Sequence, residues 1–158
     1  MSIATLPFSA NGITYHPPAK PVVVICLDGS ADEYLDTTLA FDRMPNLARM
    51  AREGYRGMVR GALPSFTNVN NSSIVTGVSP AIHGISGNFF YDTIKDEEVM
   101  MNSAAYLRAE TLLAAAANAG RKVAVVTAKE KLRDILSWQL KGIAFSAEKA
   151  AQATMETH

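Results

Sequence analysis

Arg60-Gly-Ala-Leu-Pro-Ser-Phe-Thr-Asn-Val-Asn-Asn-Ser-Ser-Ile-Val-Thr-Gly77 is the stretch from which the fold is read. It starts as the end of an extended segment, 55–62. Pro64 breaks that segment, a run of hydroxyl and amide side chains follows, and an apolar pair leads to Gly77. This is how a strand hands over to a loop and then to the N-terminus of a helix, with 72–76 expected to enter a helix that buries Ile74 and Val75. A threonine at such a junction has its hydroxyl exposed above a sheet edge, where backbone N–H groups and the helix dipole suit an oxyanion or a phosphate. Thr67 is therefore a candidate nucleophile. Asn, Ser and Thr in series also make ordinary loops and helix caps, and this window alone leaves both readings open.

Upstream, Pro21-Val-Val-Val-Ile-Cys-Leu27 is apolar on both faces and predicts a central strand of a parallel sheet. It stops at Asp28-Gly29-Ser30. An acidic residue at a strand tip followed by Gly occurs where α/β folds bind ligands. Asp28 is thus either a metal ligand or charge at the site, or a helix cap. Residues 31–40 are polar and mixed, with no element assigned. Residues 45–53 predict a helix with Pro45 in its first turn and Gly54 closing it. Residues 1–20 are turn-rich, with alternation at Ile13 and Tyr15, and read as an edge strand or an arm.

Downstream, 77–88 reads as loop, with His83 held by nearby backbone rather than by a metal. Phe89-Phe-Tyr91 and a charged turn and return over 95–101 follow. Helix is expected at 110–118, a buried strand at 122–127, helix at 128–139, a third parallel strand at 142–146, and another helix from Ala147. Strand and helix alternate over 21–158. This predicts an α/β fold: a doubly wound, mostly parallel sheet with helices on both faces. Lys129 and Lys131 lie just past a strand tip and offer a cation to an anionic substrate.

The length of 158 residues fits about one domain. With 48% hydrophobic residues the chain can bury a core. Its 15 basic and 15 acidic residues cancel, which argues against nucleic acid or an anionic membrane as partner. The single cysteine, Cys26, forms no internal disulfide and suits a reducing, cytoplasmic location. No apolar run approaches the ~20 residues that span a bilayer. A homo-oligomer is compatible with the sequence.

Four segments taken in order carry a resemblance: Leu27-Asp-Gly29, Leu63-Pro-Ser-Phe-Thr67, Ser73-Ile-Val-Thr-Gly77 and His83-Gly-Ile-Ser-Gly-Asn88. Together they resemble the alkaline phosphatase superfamily, in the branch of nucleotide pyrophosphatases/phosphodiesterases and phosphonoacetate hydrolases. The stretches 66–73, 126–133 and 141–150 are most similar to the phosphonoacetate hydrolases. The phosphodiesterases tend to have Phe-Pro-Asn-His after the threonine, where this chain has Asn68-Val-Asn-Asn71. The resemblance implies two zinc ions in the complete enzyme. It implies that Asp28 and Thr67 ligate one of them, with Thr67 as the metal-activated nucleophile. It also implies that the Asn88 amide donates to a phosphoryl oxygen, and that Lys129 or Lys131 holds the substrate carboxylate. The reaction implied is hydrolysis of the carbon–phosphorus bond of phosphonoacetate, and the partner implied is a small-molecule phosphonate or phosphate ester.

The resemblance further places additional Asp and His zinc ligands beyond residue 158. The histidines here are only His16, His83 and His158. The expectation is an N-terminal arm or edge strand at 1–20, followed by the N-terminal portion of one alkaline-phosphatase-like hydrolase domain at 21–158. That core is expected to be incomplete at its C-terminus and inactive alone.

Overall fold

Alternation of apolar and polar runs breaks the chain into short elements in the order β1 (Phe8–Ala10), β2 (Ile13–Tyr15), α1 (Asp32–Ala40), α2 (Pro45–Glu53), α3 (Thr67–Thr76), α4 (Pro80–His83), β3 (Phe89–Asp92), β4 (Glu97–Met100), α5 (Leu112–Asn118), β5 (Ala124–Thr127), α6 (Glu130–Leu136) and β6 (Ile143–Ser146). The structure, a computed structural model, describes residues 6–152. The last part of the helix expected from Ala147, residues 153–158, lies outside them. Two units make up the chain: Val23–Arg60, and the rest.

In the larger unit, β5 and β6 pair in parallel with Val125 opposite Ala144 and Thr127 opposite Ser146, and α6 forms the connection. This β–α–β arrangement is the one predicted for 122–146. Only one face of β5 is covered, however. Val125 and Thr127 are buried while Val126 is 72% exposed, so the strand shows a two-residue period and not a doubly buried run. Val69, Ile85, Met101, Leu107 and Ile135 form the core, with Phe90, Tyr106 and Trp138 packed against it. The core therefore lies where α3, the 84–88 loop, the end of β4 and α6 meet.

The helix α3 begins at Thr67, five residues earlier than the apolar pair suggested. It buries Val69, Asn71, Ser72 and Thr76, while Ile74 is 52% exposed. Its polar side chains answer their own helix. The Asn71 amide donates to the Thr67 carbonyl at 2.9 Å, the Ser73 hydroxyl to Val69 at 2.9 Å, and the Thr76 hydroxyl to Ser72 at 2.7 Å. Side-chain bonds to the carbonyl four residues back let most of these residues enter a buried helix satisfied, the buried Ser72 hydroxyl being the exception with no partner among the described residues. That is why a stretch reading as loop is helical.

The segments 21–27 and 55–62, expected as strands, form no backbone ladder among the described residues, and their apolar side chains are exposed except for Ala62, which packs against the core. A β-branched run becomes a strand only when a neighbour satisfies its N–H and C=O groups. In the Val23–Arg60 unit, α1 starts with Asp32 and Glu33, both favourable at the positive end of a helix dipole. Thr37 and Thr38 donate to carbonyls four residues back. Arg56 pairs with Asp32 and Asp36 at 2.5 and 2.8 Å. These local charges account for a helix in a stretch that gave no apolar periodicity.

The N-terminal residues form the β1–β2 hairpin, which packs against α5. Its turn residue Asn11 has φ of 50°. The Asn11 amide donates to Thr76 O and Glu110 O, both at 2.8 Å, and its carbonyl accepts from Glu110 N–H at 3.1 Å. Three hydrogen bonds of about 0.5–1.5 kcal/mol each rest on one side chain. Asn11→Ala is expected to lower stability by about 2 kcal/mol in urea denaturation. Asn11→Gly should cost less, because glycine accepts the positive φ without strain.

Candidate active site

Thr67 is the first helical residue of α3, follows the N-cap Phe66, and is exposed. No side chain caps this helix start and no acidic residue lies in its first turn. The end of the helix that favours anions thus has no acidic side chain within its own first turn. The preceding Leu63–Pro64 bond is cis. Ala62 N–H donates to the Asn70 side chain at 2.8 Å, which ties the approach segment back onto the first turn.

His83 closes α4 and is fully buried. Its Nδ1 accepts from the Ile85 N–H at 3.1 Å, so the ring proton sits on Nε2 and donates to Ser73 Oγ at 2.9 Å. The Ser73 hydroxyl in turn donates to Val69 O. This imidazole is a structural bridge between α3 and the 84–88 loop, as the sequence reading held. Burial holds its pKa below the ordinary value of 6.5.

Asn88 is exposed and immediately precedes β3. Its carbonyl accepts the Met101 N–H at 2.8 Å, extending the β3–β4 ladder by one rung. The Met101 carbonyl accepts the Asn68 amide at 3.1 Å. Thr67 and Asn88 are therefore connected through Asn68 and Met101. The same loop borders a cavity of about 250 Å³ lined by Gly84, Ile85, Phe90, Met101, Tyr106 and Arg108, among others. Sequence reasoning did not single out Asn68 or Met101. An amide in an Asn-rich run signals a cap, and a backbone carbonyl leaves no signature in the sequence.

Lys129 is the N-cap of α6 and Lys131 lies in its first turn; both are exposed. The Thr127 hydroxyl donates to Lys129 O at 2.8 Å and fixes the chain where β5 ends. The ion pairs of α6 run instead through Glu130, Arg133, Asp134 and Lys149. The helix α6 packs against α3.

Asp28 belongs to the Val23–Arg60 unit and sits in a tight turn with Gly29 at φ 72°. Among the described residues no three His, Cys, Asp or Glu side chains converge on a metal position. Zinc takes about four donors. The described residues by themselves do not make up a zinc site.

The model of the type I phosphodiesterase / nucleotide pyrophosphatase family matches residues 22–150. The chain belongs to that family. Among solved structures it is similar to phosphonoacetate hydrolase from Sinorhizobium meliloti 1021 in complex with phosphonoformate, at 44% identity and a TM-score of 0.86. The match covers 99% of this chain and 39% of that one. The same enzyme in complex with phosphonoacetate matches at 43% identity over the same shares. Curated relatives include ectonucleotide pyrophosphatase/phosphodiesterase family member 3 of Bos taurus, 33% identical over 84 residues, which are 52% of this chain and 9% of that protein. A venom phosphodiesterase of Macrovipera lebetinus is 35% identical over 74 residues, 46% of this chain and 8% of that protein. The chain thus spans well under half the length of these relatives. The fold is the alkaline-phosphatase-like α/β fold of phosphonoacetate hydrolase, as the motifs implied. No described helix is long and apolar enough to cross a membrane.

A group whose folded pKa is depressed contributes stability above its unfolded pKa and loses it as pH falls through the folded value. For His83 the contribution is complete above about 6.5. It disappears on acidification below that value. Urea midpoints are expected to drop between pH 7 and pH 5 in the wild type and to drop less in His83→Gln. Equal drops in both proteins would contradict the assignment.

Proposed function

We propose that this chain carries the nucleophile-bearing part of a phosphonoacetate hydrolase, which converts phosphonoacetate and water to acetate and phosphate. One observation carries the reading: 44% identity to that enzyme across 99% of the chain. The exposed Thr67 at an uncapped helix start is consistent with it. Thr67 Oγ attacks phosphorus and the P–C bond breaks. Its electron pair passes to the acetate fragment, which takes up a proton, and water then frees phosphate from the threonine. The carboxylate next to the departing carbon delocalises the developing charge, so a cation on that carboxylate favours the step. Lys129 or Lys131 supplies the cation, and the Asn88 amide holds a phosphoryl oxygen.

The resemblance assigns Asp28 and Thr67 to one of two zinc ions. Two donors fall short of four, so the chain alone is expected to release no phosphate from phosphonoacetate when zinc is added. Rapid phosphate release would overturn that. To test the reaction itself, this chain replaces the matching portion of the Sinorhizobium meliloti enzyme. The chimera is expected to turn over phosphonoacetate, and Thr67→Ala is expected to reduce the rate about 10³-fold or more. Unchanged turnover in Thr67→Ala would reduce the chain to a non-catalytic anion-binding module.

A second reading, phosphodiester hydrolysis, is favoured by the curated relatives. Turnover of an aryl phosphodiester by the chimera, with none of phosphonoacetate, would select it. A cytoplasmic location is part of the proposal and accords with the exposed, unpaired Cys26.

A further inference from the structure

The loop 84–87 is fastened to α3 at both of its ends. At one end, His83 Nε2–H donates to Ser73 Oγ at 2.9 Å. At the other, Asn68 Nδ2 donates to Met101 O at 3.1 Å, and Met101 N–H donates to Asn88 O at 2.8 Å. Met101 is 1% exposed and packs in the core with Val69, the residue after Asn68. We propose that Asn68 is a positioning residue whose amide, acting through the Met101 peptide, sets the register of Asn88 against Thr67. The inference rests on the reading above that Thr67 and Asn88 act on one substrate.

Three features support it. Asn68 adjoins Thr67 in the first turn of α3, so displacement of that turn moves both residues together. Met101 directly follows β4 and Asn88 directly precedes β3, so the rung between them fixes the backbone from which the Asn88 side chain projects. The link needs a donor at residue 68, because a carbonyl oxygen only accepts. Asp at this position keeps the shape of Asn but turns a carboxylate toward that carbonyl, whereas Leu keeps the approximate size without a donor. The second fastening at His83 stays in place when Asn68 changes, so the loop loses one end and not both.

The test is NMR on the uniformly ¹⁵N-labelled chain as wild type, Asn68→Asp and Asn68→Leu. In the wild type, the Asn68 side-chain amide protons are expected to exchange more slowly than those of an exposed asparagine. In both variants, Met101 N–H exchange is expected to accelerate about tenfold. The Asn88 side-chain amide resonances are expected to shift or broaden. The His83 Nε2 resonance, which reports the other fastening, is expected to stay where it is.

A residue serving stability alone would lower the melting temperature and leave the Asn88 side chain unmoved, and that result overturns the proposal. So does a freely exchanging Asn68 amide in the wild type, a result that stands even if neither variant folds. None of these readouts needs turnover. An inactive chimera therefore counts against the reaction and not against the register, whereas an unmoved Asn88 counts against the register and not the reaction.

Discussion

A buried, neutral imidazole with both ring nitrogens occupied is the constraint on which the larger unit rests. His83 has no access to water, so each nitrogen must find a partner within the protein. It finds one in the Ile85 N–H and the other in Ser73. Those two bonds decide how the short α4 ends, where the next loop begins and which face of α3 turns inward. The same tautomer removes Ser73 from consideration as a nucleophile. Its neighbour donates to it and takes no proton, and its own hydrogen is committed to Val69 O.

The fold was legible where apolar spacing and punctuation agreed. Pro45 and Gly54 bracket α2, Gly120 lies just past the end of α5, and the parallel pair 124–127 with 143–146 appears where two short, mostly apolar runs flank a helix. Reading failed where polar chemistry made the structure. The helix α1 depends on an acidic first turn and on Arg56 bridging two aspartates, none of which is periodic. The early start of α3 depends on Asn and Ser side chains bonding backward, and those residue types signal loop as readily as helix.

The candidate site divides in the same way. That the chain passes into a helix near Thr67 was legible from Pro64, the hydroxyl cluster and Gly77, although the helix starts at Thr67 itself and the segment before it is not a strand. His83 was legible as structural because a lone histidine among small apolar residues has ready backbone partners. The connection between Thr67 and Asn88 was not legible. It runs through a peptide group of Met101, and any residue but proline carries the same N–H and C=O. The exposed valines of 22–24 show the converse. A β-branched run states a preference for extended backbone, and the ladder that would use it has to come from elsewhere.

The turn residue Asn11 joins the β1–β2 hairpin to positions 65 and 99 residues further along. Contacts at such separation close large loops and bring their reward late. During synthesis the hairpin leaves the ribosome well before its acceptors at Thr76 and Glu110. The hairpin therefore waits without its partners until those positions have followed it.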